Sequence, residues 1–391
     1  MKINFWRLIL VLLLLTAGCS KSGERAVDIH VIDGVKHIMN SGEPIKRIIT
    51  LELEKIREIN PYESEDVGMK FFFAARSPQG EVVLFDPNNV EAHRYGPDNT
   101  YLGNMVKKGQ GPGEFQPYHG LGFHFMGNQI WASSSQKVAV YDRNGTYLEE
   151  YKIGSNRGSP DNFIDRRRFL CEKSEWTDSG QKRQVCIESL TGEEDSRAAS
   201  IVLYEVTKEE WLVRKGQSAF ADSWSCPSLL FTYNQEGRTI FYALNETYKI
   251  YVKDTEGNLL HVIEKPHQPV KVGPEEKKIL AAWALNRESS KWILDAYPDT
   301  LEALISLKIL PNGWLAAFRI SGPKEITFDV FNSEGQYIYA LNLPRDDQKK
   351  QRLVGDEQIG FFKSGIFTQE TRDDLPVYVE YRVTNLPDIF N

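Results

Sequence analysis

Residues 107–148 read KKGQGPGEFQPYHGLGFHFMGNQIWASSSQKVAVYDRNGTYL, and this stretch predicts one antiparallel unit. Strand-like runs occur at 121–125, 129–132 and 137–141, and the glycine-containing turns 127–128 and 142–145 follow two of them. Asparagine and glycine tolerate the left-handed backbone angles that tight hairpins need. A fourth strand over 146–151 completes the unit. Four short strands in about forty residues have the size of one propeller blade.

A glycine-rich loop precedes these strands, and its residues are Gly109, Gly111, Pro112, Gly113, Glu114 and Phe115. The pattern Gly109-x-Gly111-x-Gly113-x-Phe115-x-Pro117, followed by Ile130-Trp131-Ala132 and Val138-x-Val140-Tyr141-Asp142-x-x-Gly145, resembles an NHL repeat. More narrowly, GQGPGEF is similar to a loop of six-bladed propeller lipoproteins from Bacteroides-type bacteria. The resemblance implies a fold, and it is silent about function.

Copies of the 138–147 hairpin recur along the chain, as internal repeats do in propellers. The clearest copies span 248–259 and 326–337, and looser ones span 90–101 and 185–192. We therefore expect an all-β propeller of six blades, each with four antiparallel strands. Five of them are placed at about 66–106, 119–155, 164–204, 210–265 and 301–344.

The sixth blade is expected to join both chain ends. Segments Ile359–Thr368 and Val377–Val383 supply strands, and Pro44–Glu54 completes the sheet. Such closure removes the open edge that a ring would otherwise leave. Five or seven blades remain alternatives at this stage. Residues 274–296 lack strand alternation and begin with Pro274, so they predict a short helical insertion, either a lid or partner-docking element or a helix packed over the propeller.

The N-terminus predicts a lipid anchor. Lys2 and Arg7 precede the aliphatic run Leu8–Leu15, which is too short to span a bilayer. Thr16-Ala17-Gly18-Cys19 then resembles a lipobox, although leucine is usual where Thr16 stands. We expect a signal peptide over 1–19 that ends at a lipidated Cys19, a polar tether over 20–40, and the propeller over 41–391. Ser20, directly after Cys19, carries no acidic retention signal, which favours the outer membrane; an ordinary secretory signal is the alternative.

Composition limits the partners. The chain has 391 residues, 41% hydrophobic and 26% charged, as is usual for a globular protein, with a formal net charge of −7. A nucleic-acid partner is not expected, since phosphate binding needs a basic surface. The expected partners are the membrane, through the lipid, and a protein, peptide or glycan.

His119 and His124 are the candidate channel-lining residues, because the first strand of a blade lines the central channel. Their spacing of five puts them on opposite faces of one strand, which argues against a shared metal ion. No metal site and no cofactor are expected. The glycine-rich loop is interpreted as an inter-blade crossover and not as a phosphate cradle, because no Lys-Ser/Thr pair follows it.

Cys171 and Cys186 lie symmetrically about Asp178-Ser179, so a hairpin would place them opposite each other, as two buried thiols or as a disulfide. Neither these cysteines nor the histidines make a recognisable catalytic set. Two functions remain open: a non-enzymatic binding or scaffold protein of the bacterial envelope, serving glycan or peptide uptake or envelope assembly, and a lyase or hydrolase acting at the channel mouth. A fold by itself does not choose between them.

Overall fold

Six β-sheets make the propeller that the repeats predicted; each contains four antiparallel strands, and N-terminal strands extend two of the sheets to five and six strands. The computed structural model describes residues 27–63, 69, 72–117, 121–153, 158–177, 180–190, 200–206, 229–271, 273–274, 299–300, 303–322, 325–343, 359–372, 375–385 and 387–390. The expected signal peptide and lipobox lie outside these residues, and so does nearly all of the expected helical insertion.

Within each blade, strands that follow one another in the chain are hydrogen-bonded neighbours, and N-terminal strands are added at the last edge of three blades. The N-terminal strands are β1 (Val27–Ile32), β2 (Val35–Asn40), β3 (Arg47–Thr50) and β4 (Leu53–Ile59). Blade one contains β5 (Phe73–Arg76), β6 (Val82–Asp86), β7 (Glu91–Tyr95) and β8 (Tyr101–Asn104); the short pair β9 (Lys107–Lys108) and β10 (Glu114–Phe115) follows. Blade two contains β11 (Gly122–Met126), β12 (Gln129–Ser133), β13 (Lys137–Asp142) and β14 (Tyr147–Lys152). Blade three contains β15 (Asn162–Phe163), β16 (Arg168–Thr177), β17 (Gly180–Ser189) and β18 (Ile201–Val206).

The later blades add strands from the N-terminus. Blade four contains β19 (Leu229–Asn234), β20 (Thr239–Leu244), β21 (Lys249–Asp254) and β22 (Leu259–Glu264), with β2 and β1 beyond β22. Blade five contains β23 (Ser306–Ile309), β24 (Leu315–Gly322), β25 (Glu325–Phe331) and β26 (Tyr337–Leu343), with β3 beyond β26. Blade six contains β27 (Gly360–Phe362), β28 (Gly365–Arg372), β29 (Leu375–Val383) and β4, and the helix α1 (Pro387–Phe390) follows.

The repeated hairpin template is confirmed at three blades. The turns between the third and fourth strands carry glycine with positive φ at Gly145 (82°), Gly257 (90°) and Gly335 (79°). At the same turns, an Asp or Asn side chain accepts backbone N–H bonds from residues two and four positions later, as Asp142 does from Asn144 and Thr146. Turn chemistry therefore sets where each outer strand begins.

An N-terminal strand completes the sixth blade, as expected, but the segment predicted to supply that strand is wrong. Only Leu53 and Glu54 of the proposed 44–54 strand belong to the sixth sheet, which β4 completes antiparallel to β29. The earlier part, β3, pairs in parallel with β26 of blade five. Ile49 and Leu51 are buried in the core beside blade five, so the chain leaves that blade only after Leu51.

The polar tether over 20–40 is also wrong from Val27 onward. Residues 27–40 form the hairpin β1–β2, which extends blade four to six strands. Its turn is Asp33-Gly34, with φ of 51° and 80°, and an Asp-Gly pair between alternating hydrophobic residues is a strong hairpin signal. Ile38 on β2 is buried against Gly335 of blade five, which fixes the hairpin to the ring.

Candidate functional site

The glycine-rich loop 109–115 joins blade one to blade two and is closed by its own hydrogen bonds. The N–H of Gly109 donates to the carbonyl of Phe115 (2.9 Å), and the N–H of Gly111 donates to Oε2 of Glu114 (2.9 Å). A Cβ atom at Gly109 would lie 2.0 Å from that carboxylate oxygen, so a larger residue there would require the Glu114 side chain to move. Pro112 is exposed, whereas Phe115 is buried in the core between the two blades. This geometry agrees with the crossover interpretation.

Blade two holds the loop from the other side. The ammonium of Lys137 donates to the carbonyl of Gly111 and to Oε2 of Glu150, both at 2.9 Å. The N–H of Gly113 also donates to Glu150 (3.2 Å), and Tyr141 donates to the Gly113 carbonyl (2.7 Å). Two loop amides therefore face carboxylates of the chain itself. The loop amides that could bind an external anion are therefore already bonded to carboxylates of the protein.

His124 lies on β11 and packs edge-on against Phe163 of blade three, with ring centroids 5.0 Å apart. It is also hydrogen-bonded to the backbone of Pro160. Burial lowers the pKa of His124 from 6.5 to about 4, and the bond to Pro160 opposes this shift only in part. The ring is therefore neutral at pH 7. His119, the other expected channel residue, lies outside the described residues.

We expect His124 to weaken the fold in acid. Its folded-state pKa of about 4 is below the unfolded value, so the unfolded chain binds a proton first, and stability falls with pH between 6.5 and about 4. Between pH 7 and 5 this contribution is about 2 kcal/mol. Urea unfolding at pH 7 and at pH 5 should show that the wild type loses about 2 kcal/mol more stability than His124→Gln when the pH is lowered. An equal loss in the two proteins would contradict the assignment.

Cys171 and Cys186 lie directly opposite each other on β16 and β17, as the hairpin count predicted. Both are buried, free thiols. Burial raises the pKa of each, and the neighbouring thiol adds to this for Cys171. Thiols with a raised pKa are poor nucleophiles, so this pair has the chemistry of core packing.

The densest group of titratable side chains lies between blades four and five, and we call it the Asp329 cluster: Tyr248, Lys265, Arg319, Asp329 and Tyr337. Asp329, on β25, is fully buried. Its Oδ2 accepts hydrogen bonds from Tyr248 (2.6 Å), Lys265 (2.7 Å) and Arg319 (2.9 Å), and its Oδ1 accepts one from Tyr337 (2.8 Å). Tyr248 and Lys265 belong to blade four and the other three to blade five, so the cluster joins two blades.

The charges of the cluster stabilise one another. Burial by itself would raise the pKa of Asp329, but Lys265 and Arg319 outweigh it and hold that pKa below the ordinary value. Burial lowers the pKa of Lys265, and Asp329 opposes the shift. The ammonium of Lys265 also lies 4.9 Å from the Tyr248 ring centroid and 4.3 Å from that of Tyr337, a cation–π arrangement. Burial and the nearby carboxylate raise the pKa of both tyrosines, which stay protonated donors.

His267 borders this cluster on the segment that follows blade four. Its ring lies 6.3 Å from that of Tyr248. Burial lowers the pKa of His267, and the positive charges of Arg319 and Lys265 lower it further. Its Nε2 is buried and has no hydrogen-bond partner within the described part of the chain. A neutral imidazole whose buried nitrogen has no partner among the described residues, beside two cations, resembles a reactive group.

A second buried carboxylate, Glu380, joins blade six to blade one. Its Oε1 accepts bonds from Arg57 (3.0 Å), Arg76 (3.0 Å) and Tyr378 (2.9 Å). Arg57 lies on the closing strand β4 and also donates to the carbonyl of Gly80 in blade one (2.6 Å). Arg76 stacks on the Phe362 ring, 3.9 Å from its centroid. This Glu380 cluster therefore connects the two ends of the ring.

Neither cluster was predicted from the sequence, although the sequence contains a signal for each. Asp329 stands in the apolar strand ITFDVF, and Glu380 stands in VYVEYRV. A carboxylate within such a strand must find a cation when it is buried. Among the described residues, no three His, Cys, Asp or Glu side chains are grouped so that they could hold a metal ion. The described residues also include no helix that is long and apolar enough to cross a bilayer.

Comparisons with known proteins identify the fold alone. No protein-family model matches the chain, and no curated protein matches it. Among solved structures, a member of the DUF4221 family from Bacteroides vulgatus matches with 10% identity and a TM-score of 0.51, covering 86% of this chain and 99% of that one. A candidate exported protein from Bacteroides fragilis (13%, 0.47, 89% and 100%) and the virginiamycin B lyase of Staphylococcus aureus (10%, 0.44, 85% and 100%) are more distant in shape. The chain therefore shares a β-propeller fold with known structures, and its function has to be argued from its own residues.

Proposed function

We propose that this chain is a non-enzymatic binding or scaffold propeller, held at the bacterial outer membrane by a lipid on Cys19. The N-terminal sequence supports the anchor: a positive segment, a short aliphatic run and small residues before the cysteine. Two or more acyl chains on one cysteine attach a protein stably to a membrane surface without spanning it. The domain would then face the periplasm or the cell exterior.

The arrangement of the buried charges is the observation that supports a binding role. The Asp329 cluster joins blade four to blade five, and the Glu380 cluster joins blade six to blade one. In both, the carboxylate oxygens accept bonds from cations and tyrosines of the protein itself. Groups that neutralise each other in this way rigidify a structure and are not poised for proton transfer. A rigid ring is suited to presenting fixed loops to a partner.

The partner class follows from surface chemistry. The formal net charge of −7 disfavours nucleic acid and is compatible with a protein, a peptide or a glycan. Uptake of glycans or peptides and assembly of the envelope are the processes in which a lipid-anchored binding propeller of this kind would serve.

One observation favours an enzyme as the second candidate. His267, Arg319 and Asp329 lie close together, and the Nε2 of His267 is buried without a hydrogen-bond partner among the described residues. A lyase or hydrolase would use that nitrogen as a general base and the cations to stabilise a developing negative charge. This reaction would need the substrate to reach His267, so replacing His267 separates the two candidates.

The anchor is tested by replacing its acyl acceptor. We expect wild-type protein expressed in a Gram-negative host to partition into the detergent phase and to begin at Cys19 in its processed form. Cys19→Ala should be found unprocessed or in the aqueous phase, because it has no thiol to acylate. Wild-type protein that is water-soluble and starts at another residue would contradict the lipid anchor.

A further inference from the structure

Within the described residues, β1 is the edge strand of blade four, and no strand pairs with its outer side. The described sheet ends at β1, with β2 on its inner side. The six pairs between β1 and β2 are continuous, without a bulge. The sequence VDIHVI contains no Pro, Gly, Lys or Arg. Ile29, Val31 and Ile32 are 56%, 72% and 49% exposed. A regular apolar edge of this kind is a template for pairing with another strand.

The other outer strands of the described blades carry the features that normally block such pairing. β8 and β3 have only four residues, and β8 also contains Gly103. Register shifts interrupt the pairing of β8, β14, β18 and β4 with their neighbours. β14 and β4 are rich in charged residues, reading YLEEYK and LEKIREI. Short length, bulges and several charges are the usual protections of an edge, whereas β1 has six residues, an unbroken ladder and a single acidic residue, Asp28.

The hairpin geometry fixes which backbone groups of β1 face outward. In a two-residue hairpin the pair that flanks the turn, here Ile32 and Val35, is hydrogen-bonded, and the bonded pairs then alternate along the ladder. His30 and Asp28 therefore bond to β2. The N–H and C=O groups of Val27, Ile29 and Val31 point away from the sheet. A partner strand must bond to these three residues.

The side chains choose the register of an antiparallel copy. In an antiparallel ladder, a residue whose N–H and C=O groups point outward bonds to a residue of the partner strand whose groups also point outward. Such residues are every second one along β1. The two-fold axis that relates the two strands must therefore pass through a residue and cannot pass between two. An axis at Asp28 would oppose two aspartates, and one at His30 would oppose two histidines; like charges opposite each other are unfavourable. An axis at Ile29 sets Ile29 against Ile29, Val27 against Val31, and Asp28 against His30 on both sides. Only this register pairs apolar with apolar residues and acid with base.

We propose that β1 pairs antiparallel with β1 of a second copy of this chain, about a two-fold axis at Ile29, which joins two six-stranded sheets into one. Three bonded pairs give about six backbone hydrogen bonds. The interface is isologous, as in most homodimers.

The tether length is compatible with this pairing on one membrane, a point that rests on the proposed lipid anchor. In this register the two Val27 residues are about 14 Å apart, four strand positions. The eight residue steps from Cys19 to Val27 can span at most about 28 Å. Both anchors therefore reach the same surface, and confinement there raises the effective concentration of the second copy.

Cross-linking of the full-length protein in detergent tests the register. A Cys226→Ser background removes the one further thiol besides Cys19 and the buried pair. A short bis-maleimide should then cross-link most of Ile29→Cys to a dimer, since the two positions lie about 5.5 Å apart. Val31→Cys should not cross-link to itself, but it should cross-link when mixed with Val27→Cys. Ile29→Cys that reacts no better than Val31→Cys would overturn the proposal.

Light scattering gives an independent result for the same protein. The wild type should have the mass of a dimer, and Ile29→Lys should be a monomer with an unchanged melting temperature, because a lysine at an edge blocks pairing. Leu148→Lys, at a similarly exposed position of β14 (47%), should stay dimeric. A monomeric wild type, or a dimer that Ile29→Lys leaves intact, would overturn the proposal. Neither result bears on the Cys19 anchor, which fractionation tests separately.

Discussion

Replacing Asp329 by alanine is expected to lower the free energy of unfolding by about 3–5 kcal/mol, because the change leaves buried cations without their counter-ion. Lys265 is 9% exposed and Arg319 is partly buried, and both donate to the same oxygen of Asp329. Tyr248 and Tyr337 would lose their acceptor as well. Equilibrium urea unfolding at pH 7 measures the loss.

Two further variants separate charge from packing. Lys265→Met in the Asp329→Ala protein should restore part of the lost stability, because one uncompensated cation is removed. Glu205→Ala breaks the solvent-exposed pair Lys182–Glu205 (2.8 Å) and should cost much less. An Asp329→Ala protein as stable as Glu205→Ala would contradict the structural role of the cluster. The carboxylate's lowered pKa adds a pH test: its contribution is complete above the ordinary aspartate pKa and is lost as the pH falls through the folded value.

Replacing Glu380 by alanine is the second large effect, again about 3–5 kcal/mol. Arg57 and Arg76 have side chains only 8% and 13% exposed, and Glu380 is their shared carboxylate. Because Arg57 lies on β4, the change should also loosen the strand that closes the ring. Hydrogen exchange of β4 and β29 amides should therefore increase more than that of blades two and three.

The chain offers a matched control on the same two strands. Arg382 of β29 pairs with Glu54 of β4 at 3.0 Å, but both side chains are more than half exposed. Arg382→Ala should therefore change stability little, since exposed pairs contribute weakly. Similar losses in Glu380→Ala and Arg382→Ala would show that burial of the Glu380 cluster does not hold the ring closed.

Local signals in the sequence were sufficient to predict the blades. The glycine turns at Gly145, Gly257 and Gly335 and the strands beside them are short-range features, and the structure has them where the sequence predicted. The hairpin 27–40 was predictable from Asp33-Gly34 too. It was missed because the residues after the lipobox were interpreted as a tether.

Long-range partners could not be read from spacing. Glu380 and Arg57 are 323 residues apart, and Lys265 and Asp329 are 64 apart. Nothing in the local pattern says which distant cation meets a buried carboxylate, although ITFDVF and VYVEYRV show that one is required. The closing strand was misplaced for a related reason. The adjacent strands β3 and β4 belong to different blades, β3 to blade five and β4 to blade six. The burial of Ile49 and Leu51 beside blade five determines where the chain passes from one sheet to the next.

The central claim, that this propeller binds without catalysis, is tested most directly by the fate of its ligand. The compound or protein that co-purifies with the wild-type protein would be isolated and incubated in excess with fresh wild-type and His267→Ala protein, and its mass and bound stoichiometry would be measured. We expect one ligand per chain, unchanged in mass and bound equally by both proteins. If the wild type converted more than one equivalent of the ligand and His267→Ala did not, the result would contradict a purely binding role and identify the chain as an enzyme.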